Sequence, residues 1–219
     1  MYDARIILAK KGRAKYVSHL DMFRVMQRAV RRAKIPLWYT EGFNPHPYIS
    51  FLLAMPLGLE SDGEPVDIRI IDNTPFDEIK ARLNAALPEG FEVISCAMPV
   101  AKPAEIASAD YTVIYDGGDI SEGELKAALA SGALTCQKSA KQGGRKIMKE
   151  IDVSSCIIKS EVGTVDGDTV LRVTLPAGSS FNLNPMQLTA AVGAYTGREL
   201  YPAKAVREKL MTESGDIFR

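Results

Sequence analysis

The order of predicted elements over residues 4–100 constrains the fold more than any other feature of the sequence. Ser18, with Asp21 three residues later, is typical of a helix cap, and Pro36 stops the helix that follows. Thr74 is predicted to cap a second helix. Strands are predicted around these helices at residues 4–9, 48–55, 66–72 and 91–100. Strand, helix, strand, strand, helix, strand is the ferredoxin-like order, in which both helices cover one sheet face.

The rest of the chain repeats this order less regularly. The segment AKPAEIASAD is predicted to be a linker, and a strand at 111–115 follows it. Ser121 with Glu124 predicts the cap of one helix, and Asn184 before a proline predicts another. We therefore predict an α+β protein of two tandem ferredoxin-like (βαββαβ) domains, the second less regular, divided into domain 1–100, linker 101–110 and domain 111–219.

Composition excludes several classes of protein. No apolar run approaches the roughly 18 residues that a membrane span needs, and no signal-peptide pattern is present, so we expect a cytoplasmic protein with no membrane partner. Cys96, Cys136 and Cys156 are too widely spaced to predict a disulfide framework or a zinc site. No dinucleotide or P-loop fingerprint appears. We therefore predict neither a metal nor a cofactor.

Charge is distributed unevenly along the chain. The 27 basic and 27 acidic side chains cancel, but residues 1–50 hold ten Lys/Arg against three Asp/Glu, a net +7. A second basic run without acids spans residues 138–149 and includes Lys141, Arg145 and Lys146. Such asymmetry is typical of a polyanion-binding surface on an otherwise acidic body.

The helix predicted from Ser18 to Lys34 is amphipathic. Its apolar residues share one side, and the opposite side carries Arg24, Arg28, Arg31 and Arg32. These arginines form either an ordinary solvated surface or a phosphate-binding one, which the planar, bidentate guanidinium favours. His19, in the first turn, is either a structural histidine or a catalytic base.

The loop GFNPHP follows this helix and is built from conformationally restricted residues. Its prolines fix φ, and Asn44 favours a turn. His46 either belongs to a tight turn or acts on a bound phosphodiester as a contact or a base. Trp38 and Tyr39, just before the loop, either stack on bases or fill the core.

Three segments together carry a family resemblance. They are SHLDMFRVMQRAVRRAKIPLWYTEGFNPHPYISFLLAMPLGLESDGE, KEIDVSSCIIK and FNLNPMQL. The chain resembles the radical SAM-linked protein family, a domain of unknown function fused to or encoded beside a radical SAM protein with a cobalamin-binding-type domain. The resemblance implies a radical SAM partner, but it supplies no catalytic residues. The chain itself has no CxxxCxxC cluster.

Three functions are compatible with these features. The leading hypothesis is an RNA-binding accessory module for a radical SAM enzyme that modifies or processes RNA. In this hypothesis Asn44 and His46 lie near the nucleotide, and phosphate contacts come from Arg24, Arg28, Arg31, Arg32, Lys141, Arg145 and Lys146. The second is a metal-independent endoribonuclease with His46 or His19 as general base, and the tandem layout resembles the repeat-RNA endoribonucleases of CRISPR systems at the level of fold only. The third is a protein-interaction domain whose arginines dock an acidic partner.

Overall fold

The computed structural model describes residues 1–142 and 145–219, and for residues 139–142 and 145–146 it describes the backbone alone. The chain forms two compact units, Met1–Ala107 with Val206–Arg219, and Ser108–Ala205. In chain order the helices and strands are β1 (Tyr2–Lys10), α1 (His19–Arg32), β2 (Ile49–Phe51), β3 (Glu60–Ile70), α2 (Phe76–Ala86), β4 (Phe91–Ala97), β5 (Ile106–Tyr115), α3 (Glu122–Ala130), β6 (Thr135–Gln142), β7 (Arg145–Asp152), β8 (Lys159–Val165), β9 (Asp168–Pro176), α4 (Pro185–Thr196) and β10 (Lys204–Thr212). The predicted α+β class is confirmed.

The first unit has the predicted order of elements between β1 and β4. Its antiparallel strands pair in the order β4, β1, β3, β2. Alternate residues of β1, namely Ala4, Ile6 and Leu8, are buried on one side of the sheet. Helices α1 and α2 contact each other, and each buries apolar residues such as Met26 and Leu83. The buried stripe of α1 therefore leaves its arginine side to solvent.

The two helices of this unit begin differently. At α1 the Ser18 side chain accepts a hydrogen bond from the Asp21 N–H, as predicted. At α2 the predicted cap is wrong, because Pro75 occupies the N-cap position. The Thr74 hydroxyl instead donates to Asp72 at 2.6 Å. The proline ring has no hydrogen-bond acceptor, so the first N–H groups of the helix receive no side-chain cap.

The unit boundaries differ from those expected from the sequence. The expected second domain includes β10, but Val206 and Arg207 pair in parallel with β3 residues of the first unit. Arg5 fixes the segment after β10, since its Nη1 donates to the Arg219 carbonyl at 2.8 Å. The expected linker 101–110 also contains a short 3-10 helix and the first residues of β5.

The second unit does not reproduce the predicted βαββαβ copy, and the tandem ferredoxin-like arrangement is not confirmed. Its strands β5, β9 and β8 form an antiparallel sheet, whereas β6 pairs only with β7 among the described strands. The β6–β7 segment, TCQKSAKQGGRKIMKEID, holds few apolar residues. It therefore lacks the alternating apolar side chains with which a strand joins a buried sheet. The caps predicted at Ser121 and Asn184 are both present.

A buried ionic cluster lies in the first unit, where β1 ends beside β3 and β10. Lys10, Glu64 and Arg207 are each at most 1% exposed. Arg207 Nη1 donates to Glu64 Oε2 at 3.1 Å, and Lys10 Nζ donates to the carbonyl of Val17 at 3.0 Å. Glu64 Oε1 is buried and has no hydrogen-bond partner in the described part of the chain. The negative charge of Glu64 therefore offsets two buried cations.

No helix in the described part of the chain is both long enough and apolar enough to cross a membrane.

Candidate nucleic-acid interface

The start of α1 is fixed by a short polar network. The Ser18 hydroxyl donates to Asp21 Oδ2 at 2.7 Å, and Arg24 Nη1 donates to Asp21 Oδ1 at 2.8 Å. These hydrogen bonds, that of Ser18 first, hold the pKa of Asp21 below its ordinary value. An ionised carboxylate also interacts favourably with the positive end of the helix dipole. Asp21 therefore has a structural role that accounts for its position.

Three of the predicted arginines form one stripe along α1, which we call the α1 ridge: Arg24, Arg28 and Arg31. Their spacings of four and three residues place them above one another on a helix. All three are exposed. Among the residues that the structure describes, the side chains of Arg28 and Arg31 have neither a hydrogen-bond nor an ion-pair partner. The ridge therefore presents two guanidinium groups whose hydrogen-bonding capacity is unused within the fold.

Arg32 lies next to this stripe on the helix, but its side chain contacts the neighbouring helix. Its Nη2 donates to the carbonyl of Ala86, the last residue of α2, at 2.6 Å. In return Arg82 on α2 donates through Nε to the carbonyl of Ala33 at 2.9 Å. The C-terminal end of each helix thus receives an arginine from the other helix. Positive charge is favourable there because the last carbonyl groups lack partners within the helix and because the helix dipole is negative at this end. The position of Arg32 favours a structural role over phosphate binding.

The loop after α1 holds Asn44 and His46 at the surface, and both residues are exposed. His46 Nδ1 lies 3.0 Å from the carbonyl oxygen of Asn44 and 3.1 Å from Thr40 Oγ1. A carbonyl oxygen only accepts hydrogen bonds, so Nδ1 carries the proton. In the neutral imidazole Nε2 is therefore left with a free lone pair.

His19 has a different environment. Its ring packs edge-on against Phe51, with centroids 5.5 Å apart. Its Nδ1 is buried and has no partner among the described residues. Among these residues no hydrogen bond or ring contact joins His19 to His46. The geometry does not bring the two catalytic candidates into one acid–base pair, and the position of His19 favours the structural interpretation.

The second basic segment is described only in part. The side chains of Lys141, Arg145 and Lys146 lie outside the described residues, so their predicted phosphate contacts stay a prediction. Lys138, at the start of this segment, donates to the carbonyl of Asn182 and lies 4.5 Å from the ring centre of Phe181. It therefore packs against the loop before α4.

The two aromatic residues that precede the loop lie in different environments. Trp38 is half-buried, with Arg69 Cζ 5.4 Å from its ring centre and the Tyr48 ring 6.0 Å away. It thus belongs to a packed surface cluster. Tyr39 is 49% exposed. Sequence reasoning missed Phe43, which is fully exposed; the available signal was an aromatic residue set among glycine, asparagine and proline.

The described residues include no group of three or more His, Cys, Asp or Glu side chains that could hold a metal ion. The three cysteines are free. Burial raises the pKa of the Cys96 thiol to about 11, which disfavours the reactive thiolate. The chemistry that this surface offers is therefore hydrogen bonding, stacking and positive charge.

Three solved structures resemble the chain at low sequence identity. A chain of a Cbf5–Nop10–Gar1 complex aligns with a TM-score of 0.53 at 12% identity, covering 96% of this chain and 50% of its own length. An unknown protein from Galdieria sulphuraria aligns with a TM-score of 0.25 at 14% identity, covering 92% and 96% of the two chains. A heavy metal efflux pump gives 0.21 at 12% identity, covering 92% and 28%. The first likeness concerns the fold alone, and this chain spans half of that protein's chain.

No curated protein matches the chain. A family model of bacterial proteins matches residues 4–185, which is most of the chain. This family's description does not mention radical SAM or cobalamin proteins, so that partner stays a prediction. The chain belongs to the family described as "Uncharacterized protein conserved in bacteria (DUF2344)".

Proposed function

We propose that the first unit binds RNA and that the α1 ridge contacts the phosphate backbone. The observation that carries this proposal is the pair of exposed guanidinium groups, Arg28 and Arg31, which have no partner in the described part of the chain. Arginine pairs with phosphate through two parallel hydrogen bonds, which makes it suited to this contact. The excess of basic over acidic residues within residues 1–50 adds a local positive charge that favours a polyanion.

The finer proposal is an accessory role. The protein would bind a structured RNA and present it to a radical SAM enzyme, which would carry out the modification or processing step. The radical SAM partner rests on the sequence resemblance, and RNA binding rests on the α1 ridge. The two parts can therefore be tested separately, the first by co-purification with the partner and the second with purified protein.

Replacing Arg28 and Arg31 together with alanine is expected to weaken RNA binding about tenfold without unfolding the protein, because two exposed ion pairs contribute up to roughly 1 kcal/mol each. The measurement is fluorescence anisotropy with a labelled single-stranded RNA at several salt concentrations. Each lost phosphate contact should also flatten the slope of log K against log salt by about 0.7.

The matched control for this measurement is Arg32→Ala, one residue away on the same helix. Because its guanidinium donates to the end of α2, this substitution should change stability more than RNA affinity. If the double substitution leaves both the affinity and the salt slope unchanged, α1 is not part of an RNA-binding surface. If no RNA binds to the unaltered protein at low salt, the proposed function is wrong.

The accessory role also predicts that bound RNA stays intact. Incubation of the protein with RNA near neutral pH and without metal should yield no cleavage products. A catalytic general base would raise the rate of cleavage about 10²–10⁴-fold, so a nuclease activity that depends on His46 would be detected. Products with 2′,3′-cyclic phosphate ends that disappear in His46→Ala would support the endoribonuclease alternative, since His46 is exposed. The protein-interaction alternative would be favoured if an acidic protein binds the arginines of α1 and RNA does not displace it.

A further inference from the structure

We propose that the GFNPHP loop, residues 42–47, is a base-stacking element in which Phe43 stacks on an unpaired nucleobase. The inference rests on the proposed RNA-binding function and assigns a role to a residue outside the α1 ridge. It also specifies the class of ligand, which is RNA with at least one base free of pairing.

The loop is closed by hydrogen bonds at its base. The Thr40 N–H donates to the His46 carbonyl at 2.9 Å, and the His46 N–H donates to Thr40 Oγ1 at 3.2 Å. Tyr39 and Pro47 form an isolated antiparallel bridge one residue further out from the tip. The residues between Thr40 and His46 therefore project from a fixed base.

The backbone of the loop is shaped by glycine and proline. Gly42 has a φ of +126°, which residues with a side chain rarely adopt, so the bend at this position requires glycine. Pro45, within the tip, has its φ fixed near −65° by its ring. Closure at the base and the proline ring reduce the entropy that the loop loses on binding, so a contact made at its tip contributes more of its energy to affinity.

Phe43 lies at this tip with its side chain fully exposed. A single exposed apolar side chain needs no special explanation. Here, however, the exposed ring is presented on a closed loop, and exposed Tyr39 lies four residues away. Burying a phenylalanine side chain contributes about 1.5–3 kcal/mol, and this fold leaves that free energy available to a binding partner.

Polar groups in the same loop as Phe43 identify the kind of partner. The lone pair on His46 Nε2 accepts a hydrogen bond, and the exposed Asn44 amide both donates and accepts. An exposed aromatic ring in one short loop with an acceptor and an amide suits an unstacked nucleobase, which is bound by stacking and by hydrogen bonds at its edges. A purely apolar pocket in a protein partner would leave these polar groups unsatisfied.

The test compares Phe43→Ala, Phe43→Leu and Phe43→Trp with the unaltered protein. The probes are a 12-nucleotide single-stranded RNA of mixed sequence and the blunt duplex of the same sequence. We expect Phe43→Ala to weaken single-strand binding about 5- to 100-fold, because one base stack contributes roughly 1–3 kcal/mol. Phe43→Leu should lose nearly as much, Phe43→Trp should bind as the unaltered protein does, and duplex binding should not change.

Leu57→Ala is the matched control, because Leu57 is also an exposed apolar residue of the first unit, 60% exposed. It should leave both affinities unchanged. Single-strand binding that persists in Phe43→Ala overturns the inference and leaves the proposed function intact. Full binding of the single strand by Phe43→Leu overturns stacking and shows that Phe43 makes only an apolar contact with the RNA. Failure of the unaltered protein to bind either RNA overturns the proposed function and this inference together.

Discussion

Replacing Glu64 with glutamine is expected to destabilise the first unit by about 3–5 kcal/mol, the usual cost of removing one partner from a buried ion pair. Glutamine keeps the shape of the side chain but removes its charge. Arg207 and Lys10 then stay buried without the carboxylate that offsets them. The large effect therefore comes from the two cations left behind.

The measurement is urea unfolding followed by the fluorescence of Trp38, the only tryptophan of the chain and a residue of the first unit. The matched control is Asp62→Asn, two residues away on β3. Asp62 pairs with Lys11 at 3.0 Å, but both side chains are about half exposed, at 47% and 59%. This control should cost less than about 1 kcal/mol. Equal losses in the two variants would show that burial of the cluster does not control its energy.

Local features of the fold were predictable from the sequence because their causes are local. The cap at Ser18 and the boxes at Ser121 and Asn184 follow from hydrogen bonds between residues three apart. The amphipathic pattern of α1 likewise predicted which side carries the arginines. The cap predicted at Thr74 is wrong because Pro75 occupies the N-cap position, and the Thr74 hydroxyl donates instead to Asp72, two residues earlier.

Long-range pairing was not predictable in this way. The segment GLESDGEP, rich in glycine and acidic residues, was predicted to be a turn, but β3 begins at Glu60 and continues through it. Glutamate and proline are disfavoured in strands. Here Glu64 is accommodated because Arg207 lies 143 residues later in the sequence and contacts it. No local pattern contains that information, and the same contact helps to hold β10 in the first unit.

The candidate site was predictable only as a list of residues. Sequence spacing indicated that Arg24, Arg28 and Arg31 share a helix face, but Arg32 belongs to the same arc on a helical wheel. Only the position of α2 shows that Arg32 contacts Ala86. Exposure of Phe43 depends in the same way on where the loop projects from the fold. Tertiary contacts thus separate the structural arginine from the exposed ones.

Lys10 is expected to make the stability of the first unit depend on alkaline pH. Burial, the largest effect, and the nearby Arg207 lower its pKa, whereas Glu64 raises it; the result is a pKa of about 8 in place of the ordinary 10.5. Between these two values the unfolded chain binds more protons at this site than the folded chain does. Stability therefore rises with pH in that window.

The contribution of Lys10 to the free energy of unfolding should thus be least favourable below pH 8. It should become more favourable by about 2–3 kcal/mol as the pH approaches 10.5. The measurement is the difference in unfolding free energy between the unaltered protein and Lys10→Met at several pH values. This difference is needed because Cys96 acts in the opposite sense: its raised pKa of about 11 causes stability to fall as the pH rises above 9. The Cys96 effect is common to both proteins and cancels.

A difference in unfolding free energy that stays constant from pH 7 to 10 would mean that Lys10 keeps its ordinary pKa. Glu64 would then offset the charge of Lys10 fully despite the burial of both side chains.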